Sequence, residues 1–160
     1  MDITASERDH FFLSQVLALA QQSRAQGHHP FAAMVVAVDG AVLAQAMNAS
    51  STDRTAHAEM NALRQASRHY APAQLAGATL YSSAEPCAMC AGGVYWSGVG
   101  RVVYALAEST LLSLTGSDPE NPTLSLPCRV VFAAGQRPTE VIGPLREDEA
   151  SLAHQGFWRR

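Results

Sequence analysis

Lysine is absent: the eleven basic residues are all arginine, set against 14 acidic residues for a formal charge of −3. The arginines are scattered, and only Arg159-Arg160 stand side by side. A chain that grips a polyphosphate backbone carries a basic stripe. Its absence here favours a small-molecule substrate over a nucleic acid. Cysteine is also scarce: there are 3, and Cys87 and Cys90 stand in C-x-x-C spacing. An odd count with that spacing does not make a disulfide framework, so the cytoplasm is the expected compartment. No run approaches the roughly 20 apolar residues of a membrane span. Phe11-Phe12-Leu13 and Val16-Leu17 are interrupted by Ser14 and Gln15, and acidic residues precede them where a signal peptide would be basic. With 48% apolar and 16% charged residues, the 160-residue chain is globular. It fits a single domain, 1–160, around one sizeable core.

Thr4-Ala5-Ser6-Glu7 reads as a capping box. Apolar residues at 12, 13, 16, 17 and 20 predict a helix from about Ala5 to Gln26. Phe31 to Val38 is a continuous apolar run that stops at Asp39-Gly40, a hairpin signal, with Ala41 to Met47 as partner strand. Asn48 to Thr55 is a polar loop. Helices are expected over Ala56–His69, Cys87–Trp96, Glu108–Leu114 and Arg146–Gly156. Strands are expected over Thr79–Ser82, Arg101–Ala105 and Thr139–Gly143. Cys128 to Ala134 is ambiguous between helix and strand, and Gly116 to Pro127 is a proline-containing loop. A hairpin followed by alternating strands and helices implies an α/β fold: a mixed sheet, parallel in its later part, between helices.

Cys87 and Cys90 share one face of a helix that Pro86 starts. Unpaired N–H groups of its first turn favour thiolate, the zinc-binding form. With His57 they supply three ligands, the count for a catalytic zinc with one open position. Water in that position would acidify toward neutrality and become the nucleophile. Glu59, two residues from His57, would carry protons beside the metal without being a ligand. A redox C-x-x-C would leave His57-x-Glu59 unexplained, and a four-cysteine structural zinc site is excluded by the cysteine count.

The pairing of H-x-E with P-C-x-x-C is the pattern of zinc deaminases. Asn48…Asp53-Arg54-Thr55-Ala56-His57-Ala58-Glu59 and Glu85-Pro86-Cys87-Ala88-Met89-Cys90 resemble the cytidine deaminase-like superfamily. The closest families within it are the guanine deaminases and the tRNA adenosine deaminases. The usual Pro after Asp53 is Arg54 here. The resemblance spans about Phe11 to Trp158. It implies a three-layer fold with a five-stranded sheet in order 2-1-3-4-5, and one Zn2+ per chain held by His57, Cys87 and Cys90. Glu59 would be the catalytic proton shuttle. It also implies a homodimer and a hydrolase that removes an exocyclic amino group from a nucleobase, nucleoside or related amino-heterocycle, releasing ammonia. Asn48, the Ala58 N–H and a stacking Phe31 would contact the substrate. Tyr95-Trp96 resembles the guanine deaminases, whereas tRNA enzymes carry an Ile-His-Ser-Arg type of segment. Trp96 suits either the site or an interface between copies.

Guanine presents N–H donors, and Asp118 or Glu120 could accept them. The prolines of that loop depart from the family's path, so azoles, triazines, pterins, pyrimidines and nucleosides stay open. His28 and His29 are expected at a surface or strand edge. His10, His69 and His154 are expected in solvent, Cys128 in the core, and Arg159-Arg160 as a solvated tail.

Overall fold

A computed structural model describes residues 5–158. Helix α1 (Glu7–Ala25) starts at Ser6, whose hydroxyl accepts the Asp9 N–H while the Asp9 carboxylate accepts the Ser6 N–H. The reciprocal cap therefore uses Ser6 and Asp9, and Glu7, expected to close the box, is the first residue of the helix. Thr4 and the Arg159-Arg160 pair lie outside the described residues.

Strands β1 (Ala32–Val36) and β2 (Val42–Met47) form the expected antiparallel hairpin. Gly40 supplies the positive φ of its turn, and Asp39 Oδ1 accepts the Ala41 N–H. The other edge of β1 pairs antiparallel with β3 (Thr79–Ala84). Strands β4 (Arg101–Leu106) and β5 (Glu140–Ile142) then continue in parallel. The sheet order is 2-1-3-4-5, as expected.

Helices α2 (Ala58–His69) and α3 (Pro72–Ala76) join β2 to β3. Helix α3 was not expected; its short turn starts at Pro72, with the Gln74 side chain accepting the Ala71 N–H. Helix α4 (Ala88–Ser97) joins β3 to β4. Helices α5 (Glu108–Thr115) and α6 (Cys128–Ala133) follow β4, so the ambiguous segment is a helix. The final helix is shorter than expected: α7 (Glu147–Ser151) runs into a 3-10 turn at Leu152–His154.

Side-chain alternation divides the core between the two faces of the sheet. Ala32, Met34 and Val36 meet Phe12, Leu13, Val16 and Leu17 of α1 on one face. Ala33 and Val35 meet Ala62, Leu63 and Ala66 of α2 and Val94 of α4 on the other. Strands covered on both sides need apolar residues at every position, which is why they read as unbroken apolar runs.

One ion pair ties the layers at the start of β4. The Arg101 guanidinium grips Asp9 through two bonds of 2.7 Å, and the Tyr81 hydroxyl donates to Asp9 Oδ1 at 2.7 Å. Burial alone would raise the Asp9 carboxyl. Hydrogen bonds from Arg101, Ser6 and Tyr81 outweigh it and hold the group well below the usual carboxylate range. Asp9→Ala should cost about 3 kcal/mol in urea unfolding, because it strands the buried phenol and leaves the guanidinium only its weaker bond to Glu140. Asp9→Ala combined with Arg101→Met should recover part of that loss.

Candidate active site

Two helix starts face each other. His57 is the N-cap of α2, and Cys87 is the N-cap of α4, with Cys90 in the first turn of α4. His57 Nδ1 lies 3.6 Å from Cys87 Sγ and 3.6 Å from Cys90 Sγ. All three donor atoms lie within 4.8 Å of one another. Zinc–nitrogen bonds near 2.05 Å and zinc–sulfur bonds near 2.3 Å, set at the tetrahedral angle, call for an N···S separation of about 3.6 Å. The trio therefore fits zinc in both donor type and spacing.

Its electrostatics agree. Hydrogen bonds from Cys90 and then His57 outweigh burial and bring the Cys87 thiol down to about 4. Cys90, committed to that bond, is pushed up from its ordinary value, and the bond to Cys87 raises His57. These groups share protons that a dication replaces, leaving both sulfurs as thiolates. Cys128 stands apart: it is fully buried, burial pushes its thiol up to about 12, and it packs in the core as expected.

Glu59 sits in the first turn of α2, 6% exposed and outside the ligand trio. Burial raises its carboxyl above the usual range. The Ser82 hydroxyl lies 3.3 Å from Glu59 Oε1 while donating to the Ala84 carbonyl at 2.6 Å.

His57, Glu59 and Cys87 line a cavity of about 810 Å³. Phe31, Asn48 and Asp118 share its wall. Asn48 gives its carbonyl oxygen to the Ser50 N–H and hydroxyl, at 2.9 and 2.7 Å, which leaves its amide NH2 for a ligand. Asp118 is buried, and its Oδ1 accepts the Glu120 N–H at 2.9 Å. Ala58 is fully buried and opens α2, where first-turn N–H groups have no partner within the helix. Trp96 is not brought to the cavity: it is 85% exposed on α4.

Several cavity residues escaped the sequence reading. His28 and His29, half-buried just ahead of β1 as a strand-edge position implies, also line the cavity. His154 is buried, not solvent-facing, because it packs beneath Phe31 and Trp158. Trp158 closes the wall and donates from Nε1 to His154 Nδ1 at 2.9 Å. Nothing local in the sequence marks Trp158. Glu85 and Glu108 also line the cavity. Glu85 is spent on backbone: it accepts the Glu108 N–H at 3.0 Å and the Cys128 N–H at 2.8 Å. Glu108 is 5% exposed, and among the described residues no group donates to its carboxyl. Burial, then the negative charges of Cys87, Glu59 and Glu85, push it up to about 8. Its position just past the carboxyl end of β4 could have flagged it, since α/β sheets bind ligands there.

The family model for the cytidine and deoxycytidylate deaminase zinc-binding region matches residues 6–106. A probable cytosine deaminase of Schizosaccharomyces pombe is 38% identical over 154 residues, covering 96% of this chain and 94% of that protein. The guanine deaminase of Bacillus subtilis is 41% identical over 110 residues, covering 67% of this chain and 69% of that protein. The solved guanine deaminase of Nitrosomonas europaea superposes with a TM-score of 0.75 at 28% identity, covering 96% of this chain and 85% of that one.

Two predictions follow from the geometry at this site. Cys128→Ser should keep one zinc per chain by metal analysis, while Cys87→Ser and Cys90→Ser lose it. His154, lowered to about 4 by burial and then by Arg24, stays neutral in the folded chain, against an ordinary value of 6.5. Its stabilising effect is therefore present above pH 6.5 and is lost as pH falls toward 4. In the folded chain protonation breaks the bond from Trp158, so tryptophan fluorescence should shift around pH 4, and His154→Phe should abolish the shift.

Proposed function

We propose that this chain, which belongs to the cytidine and deoxycytidylate deaminase family and is a zinc-dependent hydrolytic deaminase, acts on a free nucleobase of the cytosine or guanine type. The observation that carries this reading is a zinc-fitting trio and a buried Glu59 sharing one cavity whose wall includes Trp158. Two relatives that it matches over 67–96% of its length are named for cytosine and guanine. Both bases carry the amino group on a ring carbon beside a ring nitrogen.

Zinc held by His57, Cys87 and Cys90 supplies a Lewis acid that brings the pKa of water toward neutrality. Glu59 takes the proton from the attacking water and passes it to the ring nitrogen beside the amino-bearing carbon. It then takes the second proton, from the hydroxyl now borne by that carbon, and delivers it to the departing amine. Ammonia leaves, and the carbon keeps the oxygen of water as a carbonyl. Burial suits Glu59 to this traffic, because a raised carboxyl holds a proton more readily than a solvated one. The Asn48 amide NH2 and the Ala58 N–H donate to acceptors on the ring. Phe31 lies against its face, and Asp118 accepts from its donors. No helix among the described residues is long and apolar enough to cross a membrane. The exposed Trp96 suits a homodimer contact.

Incubation with cytosine, guanine, aminopterins and the matching nucleosides should release ammonia, most rapidly from a free base. Glu59→Gln should retain one zinc per chain and lower kcat by about 10²–10⁴-fold. If a tRNA anticodon stem-loop were deaminated while every base stayed intact, the tRNA adenosine reading would replace this one.

A further inference from the structure

Three carboxylates besides Glu59 line the cavity from buried positions: Glu85, Asp118 and Glu108. Their oxygens are not equally available. Both oxygens of Glu85 hold backbone N–H groups, from Glu108 and Cys128. Asp118 spends Oδ1 on the Glu120 N–H. The Glu108 carboxyl receives no donor from the described residues, although the residue is only 5% exposed. The residue is buried, yet its carboxyl oxygens stay accessible from the cavity, and desolvating them without a partner is unfavourable. Its place in the first turn of α5 offsets part of this through the helix dipole. Glu108 lines the same cavity as His57, Glu59 and Cys87, so a substrate held at the metal trio is within that shared wall.

We infer that Glu108 is a specificity-determining residue: its carboxyl accepts a ring N–H of the substrate and so selects amino-heterocycles that carry such a donor. Whether ionised or protonated, a carboxyl offers at least one acceptor oxygen. A base with a ring N–H completes the hydrogen bonding that the protein leaves open. An analogue methylated on that nitrogen removes the donor, adds bulk and leaves the carboxyl buried and unpaired. Sites built around such a bond reject analogues lacking it far more strongly than apolar pockets reject a change of one methylene. The inference rests on the deaminase reading above and adds the recognition step to it.

Glu108→Gln and Glu108→Leu, made in the zinc-loaded full chain, test it. The parent should prefer the base over at least one of its ring-N-methyl derivatives by about 100-fold or more in kcat/KM. Glu108→Gln should lower kcat/KM for the base about tenfold or more, chiefly through KM, and Glu108→Leu should lower it further. Both should shrink the discrimination against the methylated ring. Zinc content should stay at one per chain, and the unfolding midpoint should stay or rise, because an unpaired buried acid has been removed. A fall in midpoint, with selectivity between base and methylated base unchanged, would assign Glu108 a structural role and overturn the inference. If Glu59→Gln abolishes turnover while Glu108→Leu leaves kcat/KM untouched, the inference fails and the deaminase reading stands. If the zinc-loaded parent releases ammonia from no base, both fail together.

Discussion

Two helices aimed at one point, N-terminus to N-terminus, are the constraint on which the site depends. His57 occupies the N-cap of α2, and Cys87 the N-cap of α4. Neither caps its own helix with its side chain, so both side chains remain available to a shared ion. The partial positive charge of two helix ends converges where thiolates must be held. The sheet fixes that convergence. The antiparallel β1–β3 pair and the parallel β3–β4 pair place α2 and α4 on the same face, packed through Leu63, Ala66 and Val94. Moving either helix by one residue would rotate its ligand away from the other.

Environment gives identical side-chain types different work. Glu85 is saturated by two backbone N–H groups and locks the starts of α5 and α6 to the end of β3. Glu59 is sealed beside the metal trio, where desolvation dominates its titration. Asp9, equally buried, is held as an anion because Arg101 meets both of its oxygens. The charge pair sits at the entry end of β4, and the ligand cavity at the exit ends of β3 and β4. One end of the sheet is thus clamped while the other is left to loops and helix starts.

The sheet order, the metal trio and Glu59 were legible because each has a short-range or superfamily-wide signature. The continuous apolar runs gave the central strands, and H-x-E with P-C-x-x-C gave the trio. What stayed hidden depends on long-range packing. His154 looked like a solvent histidine because nothing nearby in the chain announces that Trp158 and Phe31 will cover it. The helix over Arg146–Gly156 ended early because the chain leaves the α-helix through a 3-10 turn. The N-terminal cap moved to Ser6 and Asp9 because Asp9 is also anchored to Arg101, a tertiary contact that local pattern does not contain. Asp118 was legible as a candidate acid and does line the cavity, whereas Glu108, which also lines it, passed as an ordinary helix start.

The segment around residue 158 is fastened back onto α1. Arg24 donates to the carbonyls of Ala153 and Gln155, and its guanidinium lies over the Phe157 ring. The wall that Trp158 contributes is thus moored to a helix about 130 positions earlier, while the metal ligands lie between them. Loosening that mooring would therefore open one side of the cavity while leaving the ligand trio, which rests on α2 and α4, in place.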